Sequence, residues 1–257
     1  MTSTVASLGV LLLIIGKGGA SFSEALRLLG WWPLGFFEII RCTLLTALLF
    51  AGPLFEKWAV GEWNETFESL SSWIAWRNYV AGPVSEEITF RSALIPLHLL
   101  ARVSPERIVF FAPLYFGIAH VHHFYEFQLT HSGTPIMASL LRSLFQFAFT
   151  TVFGWYATFL FLRSGSLVAV IVVHSFCNYC GLPRLWGRLE VQDSPASGYF
   201  SASRLRGKED DDSKPVDGGD SRDILTPLYY VILFAGAIAF YFQIWSLTES
   251  SHELVSF

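Results

Sequence analysis

The chain has 257 residues, of which 53% are hydrophobic and only 15% charged, and its mean hydropathy is +0.46. An ordinary soluble domain carries about 25% charged residues, so this chain cannot clothe a water-facing surface of normal polarity and reads as a polytopic membrane protein. A net charge of −4 offers no basic footprint for nucleic acid, and three cysteines are too few for a disulfide framework.

A membrane-spanning helix needs ~20 mostly apolar residues. Met1 to Gly16 is uncharged but short. No positive residue precedes it, as one would in a signal peptide, so it is read as a shortened first membrane helix. Pro33 to Phe55 is a span in which Glu38 and Arg41 stand at i, i+3 and are placed to pair. Trp58, Trp63, Trp73 and Trp76 then mark an interfacial stretch. Tyr79 to Ala101, Ile108 to His123 and Gly165 to Gly181 are apolar segments punctuated by ionisable groups. Ser143 to Leu162, flanked by Arg142 and Arg163, and the uncharged Ile224 to Thr248 are the clearest spans. Arg188 to Asp223 gathers much of the charge and reads as a solvated loop. These segments predict a single all-α domain over residues 1–257, a helix bundle of about seven or eight helices. A charge at a bilayer centre costs ~2.5–3.5 kcal/mol even on a lenient scale, so the bundle is expected to enclose a polar intramembrane cavity.

Three groups of residues carry chemistry. The first is Ala81-Gly-Pro-Val-Ser-Glu86-Glu87-Ile-Thr-Phe-Arg91. Ser85 is read as an N-cap that places both glutamates in a first helical turn. Glu87 and Arg91 at i, i+4 share a face, while Glu86 points roughly 100° away. One carboxylate is thus held by arginine and the other left to take a proton. The second group runs from Phe116 through His120, His122 and His123 to Glu126. It lacks the i, i+4 histidine pair of a helical zinc site, so no metal is expected. The third is His174-Ser-Phe-Cys-Asn178, whose i, i+4 pair of donors suits an oxyanion. Cys177 and Cys180 are read as packing residues. A carboxylate that activates water beside an oxyanion hole is the minimal equipment for peptide hydrolysis.

These motifs, Glu86-Glu87-x-x-x-Arg91, Phe116-x-x-x-His120 and His174-x-x-x-Asn178, resemble in order those of the type II CAAX prenyl endopeptidases. That family includes the Ras-converting proteases and is related to bacterial bacteriocin-processing membrane proteins. The resemblance covers roughly residues 70 to 185. It implies a multi-pass protease of the endoplasmic reticulum membrane that needs no cofactor. Its substrates would be farnesylated or geranylgeranylated CAAX proteins such as Ras-like GTPases, from which it removes the last three residues. By motif position, Glu86 would activate the water, His120 would help hold it, and His174 and Asn178 would stabilise the oxyanion. Glu87 and Arg91 would orient the others. Two rival classes are a transporter with a proton relay, which predicts paired half-sequences that are not seen, and an inactive scaffold of the same fold, which would have lost one of the four principal residues.

Overall fold

An apolar chain in a bilayer must satisfy its backbone polar groups internally, and helices do so residue by residue. The computed structural model describes residues 2–61, 72–189 and 224–257, and among them there is no strand. The helices are α1 (Thr2–Gly16), α2 (Phe22–Leu28), α3 (Phe36–Leu49), α4 (Ala51–Val60), α5 (73–100), α6 (Pro105–Ala119), α7 (His122–Thr130), α8 (Ile136–Ser164), α9 (Leu167–Cys180) and α10 (Leu225–Leu247). Trp63 and nearly all of the charged loop expected at 188–223 lie outside the described residues.

Helices α8, α10 and the α6–α7 run Pro105–Thr130 are each long and apolar enough to cross a membrane. The distribution of side chains agrees with that assignment. On α10, Val231, Phe234, Ile238, Tyr241, Phe242 and Trp245 all stand exposed, while Glu87, Arg91 and His174 are buried. This inversion of ordinary polarity suits a lipid solvent. The protein is a multi-pass, all-α membrane protein.

The span expected at Pro33–Phe55 is not one straight rod. Helices α3 and α4 meet at a 73° bend. Pro53 explains the break at Phe50, because a proline ring collides with the carbonyl four residues earlier, here that of Leu49. Helix α10 fills the angle through small residues. A Cβ on Gly52 would meet Leu233 at 2.9 Å, and one on Gly236 would collide with the Leu48 carbonyl. Glu38 and Arg41 do not pair with each other as expected. Glu38 accepts from Ser250 Oγ at 2.7 Å, and Arg41 Nη1 donates to the Glu249 carbonyl at 3.1 Å. Both side chains turn towards the segment after α10, a partner that local spacing cannot reveal.

Helix α9 runs through the middle of the bundle, against α3, α5 and α8. Its Leu167, Ala169, Val170 and Val173 join Leu45, Ile95, Ile108, Leu160 and Phe161 in the main core. The turn into α9 is fixed by Gly165, which ends α8 at φ +61°, where a Cβ would also run into the His252 backbone. Ser166 then caps α9, accepting from the Ala169 amide at 3.1 Å and donating to the Leu34 carbonyl at 2.6 Å. The register of α9, and so the depth of His174, is set at this end.

Candidate active site

Helix α5 carries the two glutamates, and it differs from the sequence expectation in one respect. It does not start at Ser85. Ser72 is the cap, accepting from the Ala75 amide at 3.2 Å, and the helix runs on through Gly82-Pro83. Pro83 lacks an amide and would clash with the carbonyl four residues back in a regular helix. The chain absorbs this by widening Arg77–Ala81 into a π-turn, and a second π-turn spans Ile88–Ala93. Such bulges often occur at functional sites. Ser85 therefore sits mid-helix, its hydroxyl donating to the Gly82 carbonyl at 3.0 Å. Both glutamates owe their placement to the π-turns rather than to a helix start.

The two carboxylates have opposite surroundings. Glu87 is fully buried, and its Oε1 accepts from Arg91 Nη1 at 3.1 Å and from His174 Nδ1 at 2.7 Å. A carboxylate only accepts, so this contact puts the proton of that ring nitrogen on Nδ1 and aims Nε2 away from Glu87. His174 Nε2 lies 3.8 Å from Glu86 Oε2, and the Glu86 side chain remains 33% exposed. Arg91, itself buried, lies against the Phe116 ring with Cζ 4.8 Å from its centroid and 5.8 Å from that of Phe153. The aromatic faces supply part of the solvation that a buried guanidinium loses.

His120 follows the last residue of α6. Its Nδ1 donates to the Phe116 carbonyl at 2.7 Å, which leaves Nε2 as the acceptor of the neutral ring. The Phe116 ring stands 4.6 Å from the His120 ring and 6.1 Å from that of His174, so one aromatic residue spaces both histidines. Asn178 is exposed at the end of α9 and donates through Nδ2 to the Asn78 carbonyl in the first π-turn, at 2.9 Å. The structure thus joins Glu87, Arg91 and His174 directly, sets Glu86 beside them, and brings His120 and Asn178 to the same region through Phe116 and Asn78.

Two contributors lay outside the sequence reading. Phe153 on α8 packs on His174 at 4.6 Å and on Arg91, yet it is one of 24 phenylalanines and carries no local signal. Asn78 precedes the motif and becomes relevant only because α9 lands on it. The expected metal-free site can be set against one candidate group among the described residues. His122, His123 and Glu126 bring ligand atoms within 4.8 Å of one another at the start of α7. His122 and Glu126 are exposed, and His123 Nδ1 already donates to Glu126 Oε2 at 2.8 Å. A cavity of about 890 Å³ lined by Trp32, Glu38, Arg41 and His252 lies near the opposite end of α9 and contains none of the motif residues.

Comparisons with known proteins converge on one family. The family model described as Type II CAAX prenyl endopeptidase Rce1-like matches residues 68–180, which include every motif residue. The chain is 37% identical over 221 residues to a protein of Schizosaccharomyces pombe named Probable CAAX prenyl protease 2, covering 84% of this chain and 69% of that protein. It is similar to proteins named CAAX prenyl protease 2 from Arabidopsis thaliana, at 37% over 192 residues, and Homo sapiens, at 34% over 203 residues. Those matches cover 66% and 74% of this chain and 59% and 61% of the relatives. No solved structure matches at a comparable level.

Proposed function

The chain belongs to the type II CAAX prenyl endopeptidase family, and from that premise we propose that it acts as an intramembrane endopeptidase that removes the C-terminal tripeptide from prenylated CAAX proteins. The observation that carries this reading is the division of labour between adjacent carboxylates. Glu87 is buried and clamped between Arg91 and His174, whereas Glu86 is accessible beside the far nitrogen of the same histidine.

The chemistry follows from that arrangement. Glu86 takes a proton from a water as the water oxygen attacks the scissile carbonyl carbon, and His120 Nε2 accepts the second water proton as a hydrogen bond. The carbonyl oxygen becomes an oxyanion. Asn178 donates to it, and His174, oriented by the Glu87 carboxylate, stabilises it from Nε2. Collapse of the tetrahedral species breaks the C–N bond, and Glu86 passes its proton to the leaving amine. Arg91 pairs with the Glu87 carboxylate, which in turn keeps the imidazole oriented.

A prenyl chain favours lipid by ~0.8 kcal/mol per buried CH₂, so the substrate approaches laterally with its peptide turned to the polar site. Ras-like GTPases are the substrate class that this reading favours, and the endoplasmic reticulum membrane is the compartment. The test is mass spectrometry of a farnesylated CAAX peptide incubated with purified protein. The reading requires loss of the terminal tripeptide, and an intact peptide alongside a folded protein refutes it.

A further inference from the structure

Resting on that reading, we propose that Arg77 is the specificity residue that binds the terminal carboxylate of the substrate, and that α5 holds this cation one tripeptide length from the scissile bond. A substrate cleaved three residues from its end presents a fixed negative charge beside the site, and a carboxylate near lipid needs a cationic partner.

Arg77, Gly82 and Glu86 fall in one row along α5. The first π-turn carries residue i+5 over residue i, and the Gly82 amide bonds the Arg77 carbonyl. The following α-turn brings Glu86 over Gly82. A Cβ built on Gly82 would lie 3.0 Å from the Arg77 carbonyl and 3.8 Å from Glu86 Oε1. The one residue between the acid and the cation is therefore the one without a side chain, and it leaves a lane along which an extended peptide can lie. Nine residues of helix rise ~13 Å. Three extended residues reach about 10 Å, and a hydrogen bond at the arginine covers the remainder.

Asn78 ties the same cation to the oxyanion side. Its carbonyl accepts from Asn178 at 2.9 Å, and its side-chain Oδ1 accepts from Arg77 Nε at 3.1 Å. That bond uses Nε, while the fork that grips a carboxylate is formed by the Nη atoms. Polarity points the same way. Arg77 is exposed just after Trp73 and Trp76, which are 85% and 52% exposed, as expected of an interfacial belt. The charged end of the substrate lies at this wet margin, and the prenyl cysteine lies on the other side of the scissile bond. Arg184 is bound to Glu56 at 2.8 Å, and Lys57 lies over the Tyr179 ring at 4.9 Å.

The test compares two fluorescent farnesylated peptides, one ending in a free carboxylate and one in a carboxamide. Binding is measured by anisotropy in detergent on the Glu86→Gln protein, where turnover cannot interfere. Kinetics are followed in parallel on protein with Glu86 intact. The Glu86→Gln protein is expected to favour the carboxylate roughly tenfold to a hundredfold, the range of a charge-assisted hydrogen bond. Adding Arg77→Gln should reduce that preference to within about twofold, while Arg77→Lys, which keeps the charge but loses the fork, should retain only part of it. With Glu86 intact, Arg77→Gln should raise KM for the carboxylate peptide far more than it lowers kcat. A preference that survives Arg77→Gln, or that is absent from the Glu86→Gln protein itself, overturns the proposal. Arg77-dependent binding without cleavage by the wild type would refute the hydrolytic reading and leave the recognition role standing.

Discussion

Glutamine at position 86 keeps the volume of the side chain but cannot take a proton from water, while the same change at position 87 removes the counter-charge of a buried arginine. The structure assigns the two substitutions different consequences. Glu86 Oε2 lies 3.8 Å from His174 Nε2, and the carboxylate is partly exposed. Losing that contact should cost less than ~1 kcal/mol, whereas removing a general base should lower turnover ~10²–10⁴-fold. Glu87 is fully buried and shares Oε1 between Arg91 at 3.1 Å and His174 at 2.7 Å. Glu87→Gln leaves the Arg91 cation buried without its partner, a penalty of ~3–5 kcal/mol. For a protein of this size that lowers the midpoint of thermal unfolding by roughly 10 °C. The assay pairs tripeptide release, read by mass spectrometry, with thermal unfolding in detergent. Glu86→Gln should be near-native in stability and almost inactive, while Glu87→Gln should lose both properties. Retention of more than about a tenth of wild-type turnover by Glu86→Gln, or equal destabilisation by the two changes, refutes the division of roles.

Three further outcomes follow from the same geometry. Asn178→Ala should slow cleavage ~10²–10³-fold by removing an oxyanion donor, with little change in unfolding temperature because the side chain is exposed; an unaltered kcat would remove Asn178 from the site. Gly236→Ala forces a methyl against the Leu48 backbone and should destabilise the protein by ~1–3 kcal/mol, while the folded fraction keeps its specific activity; a variant unchanged in thermal unfolding would contradict the close approach of α10 to the α3–α4 bend. Chelator-washed protein should retain full activity despite the His122, His123 and Glu126 group; an equivalent of zinc by elemental analysis, with activity lost on its removal, would displace Glu86 as the base for free water.

Much of this protein is legible in one dimension because lipid imposes a severe rule on composition. Long uncharged runs had to become helices, and α8 and α10 lie where hydropathy places them. Ionisable residues inside apolar segments were candidates for function or pairing, which singled out Glu86, Glu87, Arg91, His120 and His174, and the i, i+4 spacing from His174 added Asn178. The i, i+4 spacing likewise anticipates the Glu87–Arg91 contact, because both residues lie on one helix. Other features depend on chain segments far apart in sequence. Ser85 reads as a helix start because its hydroxyl suits an N-cap, yet packing against α9 and two π-turns carry α5 on through it. Glu38 and Arg41 satisfy the local rule for a pair, but the segment after α10 offers both of them partners. The contact that distinguishes one glutamate from its neighbour joins Glu87 to His174, 87 positions along the chain. Local spacing determines which faces residues occupy, and only the packing of α5, α6, α8 and α9 decides which faces meet. That packing left Glu86 accessible, buried Glu87, and recruited Phe153 and Asn78.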